Sequence, residues 1–486
     1  MIDVGATERL PRLGAARASR VAAVTAVLRP HAALVALLAA GFVLRAIAEY
    51  AIYPGIWFSD SNGYITTAAT GTLNPTRVSA YSLFVAPFWH LGSAAALIIV
   101  QHLIGLAMVV LLYALLRRRG VSRLLATCAV VPAALDAYLI QIEHTIMSET
   151  IFHATLVAAI ALLLWKDRPG VVATAVAGLL LGYAGVVRSV AVPIVAVFVV
   201  YLLARRVGWR GVVLLVLGWA VVTAGYAGLY DAQHRKFGLT QSGGRFLYGK
   251  VAPFADCSRL TGVPRDERFL CPDPRHPYTT TSAMWGKRSP LRGLPGSADR
   301  KIRDFAMRVV RERPVKYASV VALDFLHYFE PGHRIGPNDP QISQWEFPAD
   351  PNTWGIPGYR GPIRPGGEHH AFEPNEYVGH MVGRPHTNVP ASKLLHVYQR
   401  FAFTSGQVLG LCVLVVLVAL FLRRGALRLR LDAALLTFAV LAMLLVATAL
   451  SVFSYRYGLI AVMLLPAAAA LAATAMLERR RETSPS

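Results

Sequence analysis

The sequence predicts an α-helical polytopic membrane protein of about ten transmembrane helices, with one large extracytoplasmic segment between the seventh and eighth. Three observations predict it. The 486 residues are 55% hydrophobic and only 16% charged, with a mean hydropathy of +0.47, a composition that cannot wrap several water-facing cores. The apolar residues come in runs of about twenty, which at about 1.5 Å rise per residue cross a hydrocarbon layer of ~30 Å. A soluble helix would break such runs with a polar face. Finally, the arginine clusters occupy alternate loops.

That alternation explains a net charge of +22. A strongly basic chain can point to nucleic acid, but no basic stripe interleaved with aromatics is present. Much of the excess sits in short loops between apolar runs, the pattern that reports cytoplasmic loops. No nucleic-acid partner is expected, and the bilayer is.

The elements follow in order. Arg9, Arg12, Arg17 and Arg20 precede the first run, about 31–52, which is longer than a signal-peptide core and has no small-residue cleavage site after it. It is expected to be retained, with residues 1–30 cytoplasmic. An outside loop covers residues 53–91. The second run, about 93–115, ends at Arg117, Arg118, Arg119 and Arg123. Runs of about 124–141 and 147–165 flank an outside turn carrying Glu143 and His144. Runs five and six, about 171–187 and 190–204, flank Arg188 outside and end at Arg205, Arg206 and Arg210. The seventh, about 211–230, delivers residues 231–395 to the outside. Three further runs, about 400–422, 431–452 and 459–477, make up a C-terminal unit over 396–477, with Arg423, Arg424, Arg428 and Arg430 inside and Tyr455-Arg456-Tyr457 outside. Residues 478–486, with Arg479, Arg480 and Arg481, form a cytoplasmic tail, so both termini are placed in the cytoplasm.

The 231–395 segment is rich in Pro, Gly, Trp and Tyr and reads as a mixed, partly irregular domain. Residues 297–328 read as helix, with Ser297 as N-cap, Phe305, Val309 and Val310 at helical spacing, and a break at Pro314. Residues from Tyr317 to Tyr328 are apolar enough to lie on the bilayer surface. Cys257 and Cys271 share the segment, either as a disulfide in an oxidising compartment or as solvated thiols. Gly244-x4-Gly249-Lys250 nearly spells a phosphate loop, but Val251 stands where a metal-binding Ser or Thr is required. Gln101-His102 in the second run reads as an interhelical hydrogen-bond pair.

Ionisable groups near the ends of spans are costly unless they face a wet cavity, which makes them functional candidates. Asp60, Glu143, His144, Glu149, Arg188 and Arg456 all fall on the outer side, with Arg45 and Glu49 at i and i+4 in the last turns of the first run. Each has a structural alternative. Asp60 before Ser-Asn-Gly can be a turn or cap, Arg45 and Glu49 an intrahelical pair, and Glu143 a solvated loop carboxylate. Glu149 can serve a helix dipole, and Arg188 and Arg456 can anchor lipid headgroups.

The layout resembles the GT-C glycosyltransferases that use polyprenyl-phosphate-linked sugars, in particular bacterial members of the family-39 kind. The features are Leu44-Arg45 at the end of span one, then Asp60 and Tyr64 in the first outside loop, and Arg77-Val78-Ser79-Ala80-Tyr81-Ser82-Leu83-Phe84, which resembles the family's R-x-P-P-x-Y-P-L-F stretch without its prolines. Met147-Ser148-Glu149, Gly182 to Arg188, and Tyr455-Arg456-Tyr457 with Pro466 resemble further family motifs in the same order. The resemblance implies a seven-span catalytic module over 31–230 and an extracytoplasmic domain over 231–395. It implies an inverting sugar transfer to an extracytoplasmic glycan, lipid or protein in a bacterial plasma membrane. Asp60 and Glu149 would be catalytic, with Asp60 the general base. Arg188, Arg456 and Arg45 would hold the donor phosphate, and Tyr64, His144 and Glu143 would orient acceptor or sugar. Some relatives use a divalent metal (Mg or Mn) at the acidic loop; no other cofactor is implied. A lipid-linked substrate flippase and a noncatalytic envelope scaffold are the competing functions. A transporter would show repeat symmetry or spans broken at the midplane, and a scaffold leaves Asp60 and Glu149 without a role.

Overall fold

The computed structural model describes residues 29–332, 342–354, 376–423 and 426–482. The first four arginines, Arg424, and residues 333–341, 355–375 and 483–486 lie outside them. The fold is that of an α-helical multi-pass membrane protein, and each of the ten predicted runs is helical. In chain order the helices are α1 (Ala32–Ala51), α2 (Ser59–Thr70), α3 (Tyr81–His90), α4 (Ala94–Arg118), α5 (Arg123–Leu135), α6 (Ala137–Glu143), α7 (Glu149–Leu164), α8 (Val171–Val187), α9 (Val195–Ala204) and α10 (Trp209–His234). They continue as α11 (Gly243–Val251), α12 (Thr280–Trp285), α13 (Asp299–Glu312), α14 (Pro314–His327), α15 (Glu376–Val382), α16 (Val389–Gln399), α17 (Gly406–Phe421), α18 (Leu427–Leu450) and α19 (Leu459–Glu482).

Among the described residues, five segments are long and apolar enough to cross a membrane: Arg29–Ala51, Ala94–Arg118, Trp209–His234, Leu427–Leu450 and Tyr455–Leu477. A sixth is the pair α5 and α6, bent by 52°. The bend has a local cause. Pro132 removes a helical hydrogen bond, and the Asp136 carboxylate accepts from the Tyr138 and Leu139 N–H groups to start α6 afresh. The remaining four runs, Glu149–Leu164, Val171–Val187, Ser189–Ala204 and Gly406–Phe421, are shorter helices.

Close packing of α8 on α10 rests on glycines. A Cβ on Gly182 would meet the Trp219 carbonyl oxygen at 2.8 Å, and one on Gly218 would meet that of Ala175 at 2.7 Å, the small-residue contact that lets membrane helices approach. At one end of the bundle the arginine-rich loops converge. Arg119 donates to Asp432 (Nε to Oδ2, 2.7 Å) and lies 3.0 Å from Asp167, while the Tyr201 hydroxyl donates to Asp432 at 2.8 Å.

At the other end the chain makes shorter elements. A two-residue ribbon pairs β1 (Ile52–Tyr53) antiparallel with β2 (His386–Thr387), and Ile56 bridges Thr145. Residues 243–312 fold a separate small core, in which Tyr248, Leu270, Ile302, Phe305 and Val309 are buried. Cys257 and Cys271 are disulfide-bonded beside it, with a Cα–Cα separation of 5.9 Å. The predicted helix over 297–328 is two helices, α13 and α14, broken at Pro314. Ser297 does not cap it: Gly296–Ala298 is a 3-10 turn and α13 begins at Asp299, whose carboxylate accepts from the Gly244 N–H and so joins α13 to α11. Helix α14 exposes Val315, Leu323 and Leu326 while the Tyr317 hydroxyl donates to the Ala449 carbonyl of α18. Lys250, at the near-miss phosphate loop, is buried against Asp324.

Candidate functional site

The first turns of α2 and α7, the end of α8, the loop between α2 and α3 and the turn before α19 bring five charged side chains together. Asp60 lies in the first turn of α2. The Ser61 hydroxyl accepts from the Phe58 N–H (2.9 Å) and donates to the Ile146 carbonyl (2.7 Å), pinning that turn to the segment leading into α7. Phe58 occupies the N-cap position, so the Asp60 carboxylate is not a cap. Instead, its Oδ1 meets Arg77, and its Oδ2 accepts from Nη1 and Nη2 of Arg456, each at 3.3 Å.

Glu149 is the first residue of α7 and pairs with Arg188, the residue that ends α8. Arg456 Nε lies 3.5 Å from Glu149 Oε1, so one guanidinium links the two carboxylates. Aromatic faces hold the arginines in place. Tyr457 lies under both Arg188 (4.8 Å) and Arg456 (5.2 Å), and Trp345 lies 5.0 Å from Arg456. Tyr64, one turn after Asp60, donates its hydroxyl to Ser148 at 3.2 Å.

Three guanidiniums against two carboxylates leave one excess positive charge, a balance suited to an anion. The group also remains within reach of a ligand: the side chains of Arg77, Asp60, Arg456 and Arg188 are 28%, 16%, 13% and 11% exposed, and only Glu149, at 1%, is closed in. Burial opposes the charge on Asp60, but the Arg77 and Arg456 guanidiniums outweigh it and hold the carboxyl down at about 2. The same surroundings do not fit a divalent cation at Asp60, because both oxygens already face guanidinium groups and, among the described residues, no second carboxylate joins it in a metal-ligand group.

Of the residues singled out from the sequence, Asp60, Tyr64, Glu149, Arg188 and Arg456 meet here. Arg45, Glu143 and His144 lie apart from the cluster, paired among themselves and their neighbours. Glu143 is not a solvated loop carboxylate. It is buried and accepts from Arg45 through both oxygens (Nε to Oε2, 2.7 Å; Nη2 to Oε1, 2.8 Å). Arg45 does not pair with Glu49, nor does it face the excess-cation cluster as a phosphate ligand would. Its remaining donors go to the carbonyls of Gly41 (3.0 Å) and Ala134 (2.9 Å), and it is 2% exposed. His144 is fully buried, with its ring stacked on His102. Beyond the Asp136 bend α6 packs against α1 and α4, which buries Glu143 and His144 rather than leaving them in a solvated turn.

Arg77 and Trp345 belong to the cluster but were not singled out as site residues. For Arg77 a signal existed, since it opens the loop stretch that also carries Tyr81. For Trp345 none did, because residues 342–354 show no pattern that places them over span ends.

No family model matches the chain, and no curated protein matches it. Similar solved structures include the S. cerevisiae protein O-mannosyltransferase Pmt1-Pmt2 complex bound to the sugar donor, at 15% identity and TM-score 0.34, covering 46% of this chain and 36% of that one. Another is ArnT from Cupriavidus metallidurans bound to undecaprenyl phosphate, at 14% identity and TM-score 0.35, covering 92% of this chain and 78% of that one. The apo state of the same ArnT gives 15% identity, TM-score 0.33 and coverages of 90% and 76%. The chain spans about a third of the length of the first of these.

Proposed function

We propose that the chain is an inverting, GT-C-type glycosyltransferase that moves a hexosyl or pentosyl unit from a polyprenyl-phosphate-linked donor to an extracytoplasmic acceptor. The observation that carries this reading is the cluster of three arginines and two carboxylates at one end of an apolar helical bundle. A lipid-phosphate sugar presents an anion at the same depth as that cluster.

In this reading the donor phosphate competes with the carboxylates for Arg456 and Arg188, whose planar forks suit phosphate oxygens. Drawing Arg456 away from Asp60 raises the basicity of that carboxylate, which ground-state pairing holds low. Asp60 then accepts the proton of an acceptor hydroxyl as the oxygen–anomeric carbon bond forms and the carbon–phosphate oxygen bond breaks. The departing polyprenyl phosphate takes the bonding electrons, and Arg188 and Arg456 stabilise the charge it gains. Glu149 fixes both arginines, and Tyr64 borders the acceptor side. The 231–395 segment would select the acceptor, with the termini cytoplasmic in a bacterial plasma membrane.

The test uses purified protein in lipid vesicles supplied with a polyprenyl-phosphate sugar and a candidate acceptor. Wild type is expected to release free polyprenyl phosphate, and Asp60→Asn to lower that release by roughly 10²–10⁴-fold while remaining folded. Sugar-lipid crossing the bilayer intact would identify a flippase and overturn the proposal, as would full activity in Asp60→Asn.

A further inference from the structure

Buried in the bundle, a second polar group contains a pair of histidines that the proposed reaction does not use. His102 in the middle of α4 and His144 after α6 stack with ring centroids 5.3 Å apart and planes 15° from parallel. His102 Nε2 and His144 Nδ1 face each other at 3.1 Å. The other nitrogen of each ring is committed. His102 Nδ1 lies 3.1 Å from Glu143 Oε2, and His144 Nε2 lies 2.9 Å from the Ile52 carbonyl oxygen. Glu143 is paired with Arg45 and accepts only, and a carbonyl oxygen can only accept, so both of these nitrogens must carry the proton.

In neutral rings that leaves two lone pairs pointed at one another 3.1 Å apart. A cation must sit between them to make the contact favourable. Glu49 stands beside them, one turn beyond Arg45 on α1. Its Oε2 is 3.6 Å from His144 Nδ1, and neither carboxylate oxygen has a hydrogen-bond partner among the described residues. The ligand atoms of Glu49, His102 and His144 all lie within 4.8 Å of one another.

We propose that Glu49, His102 and His144 bind a divalent transition-metal ion of the zinc class. Zinc bonds to imidazole nitrogen and carboxylate oxygen of about 2.0–2.1 Å place neighbouring ligand atoms roughly 3.3 Å apart in a tetrahedral site. The separations of 3.1 and 3.6 Å bracket that edge. The outer shell is also the one that metal-bound histidines require: one ring donates to a carboxylate and the other to a backbone carbonyl, which sets both tautomers for ligation. Two imidazoles and one carboxylate leave a fourth position for water. The ion ties the end of α1 to the middle of α4 and to the turn before α7. The segments leading to Asp60 and Glu149 depart from these elements, so the ion braces them without touching the transferred group. The inference therefore stands apart from the proposed transfer reaction.

The test is metal analysis of the full chain purified in detergent without chelator or metal-affinity resin. The expected result is about one zinc per chain in wild type, and loss of most of it in a His102→Ala/His144→Ala double variant. Should that variant fail to fold, Glu49→Gln removes the ligand nearest the surface. After stripping with chelator, adding Zn2+ alone is expected to raise the Tm of wild type, with at least a ten-fold weaker apparent affinity in Glu49→Gln. Co2+ added to stripped wild type is expected to give the visible absorption of a low-coordinate nitrogen and oxygen site. Folded wild type with no bound metal and no response to Zn2+ or Co2+ would overturn the proposal and leave a shared proton between the rings. Equal metal in wild type and in folded variants would overturn it as well.

Discussion

Two charge clusters, one around Arg45 and Glu143 and one around Asp60 and Glu149, are built on opposite rules. In the inner one, Arg45 and Glu143 match each other one to one, through two parallel hydrogen bonds, with side chains 2% and 4% exposed. Every remaining donor of Arg45 that the structure records finds a carbonyl. Such a pair holds elements together and has nothing left to offer a ligand. In the outer one, three arginines share two carboxylates, one guanidinium bridges both acids, and four of the five side chains keep some exposure. Excess charge of one sign, partly open, is what an anionic ligand can use. The difference teaches that a buried ion pair near a span end is no guide to function until its stoichiometry and exposure are known.

Breaking the inner pair tests that division most strongly. Arg45→Ala strands a buried Glu143 carboxylate, and removing one partner of a buried pair costs about 3–5 kcal/mol. The expected outcome is a large fall in Tm and in recovered folded protein, read by thermal melts in detergent. Any loss of activity should track the folded fraction.

The outer cluster should behave in the opposite way. Arg456→Ala removes the bridging cation, and transition-state stabilisation of this kind is worth about 2.7–4 kcal/mol, or roughly 10²–10³ in kcat. The Tm should stay near wild type, because Asp60 retains Arg77 and Glu149 retains Arg188. Collapse of the Tm in this variant would show that both clusters are structural and erase the contrast.

The smallest effect concerns pH. Asp60 is held down at about 2 by Arg77 and Arg456 after burial is overcome. A depressed carboxyl contributes stability that is present above its unfolded value of about 3.9 and is lost as pH falls through its folded value. Stability and kcat/KM should therefore show no acid limb from Asp60 between about pH 8 and pH 5. Arg77→Gln should move that limb upward by about one unit or more, measurable in the pH profile of kcat/KM. An acid limb near pH 6 in wild type that Arg77→Gln leaves in place would assign the titration to another group.

Much of the helical architecture was legible without coordinates, because a bilayer imposes a length and polarity rule on every span that a single sequence can display. The ten apolar runs are each helical, and the break at Pro314 falls where a missing N–H requires it. Runs were less informative about shape. The 52° bend at Asp136 depends on a proline and a capping carboxylate inside an apolar stretch, and hydropathy averages over both. Within the site, Asp60, Glu149, Arg188 and Arg456 could be gathered from their positions near span ends. Arg45, Glu143 and His144 share those positions, yet they turn inward. Span-end location sets the depth of a side chain but not the face it occupies, and the face depends on how neighbouring helices pack.

By itself the sequence determined that this is an α-helical membrane chain, and which charges near span ends are costly enough to need a reason. Only the tertiary structure decided their partners: Arg77 and Arg456 on Asp60, Arg188 on Glu149, Arg45 on Glu143, and two histidines face to face beside Glu49. The reason is that partition into a bilayer is a property of local composition, whereas pairing of buried charges depends on distances of a few ångströms between residues tens to hundreds of positions apart.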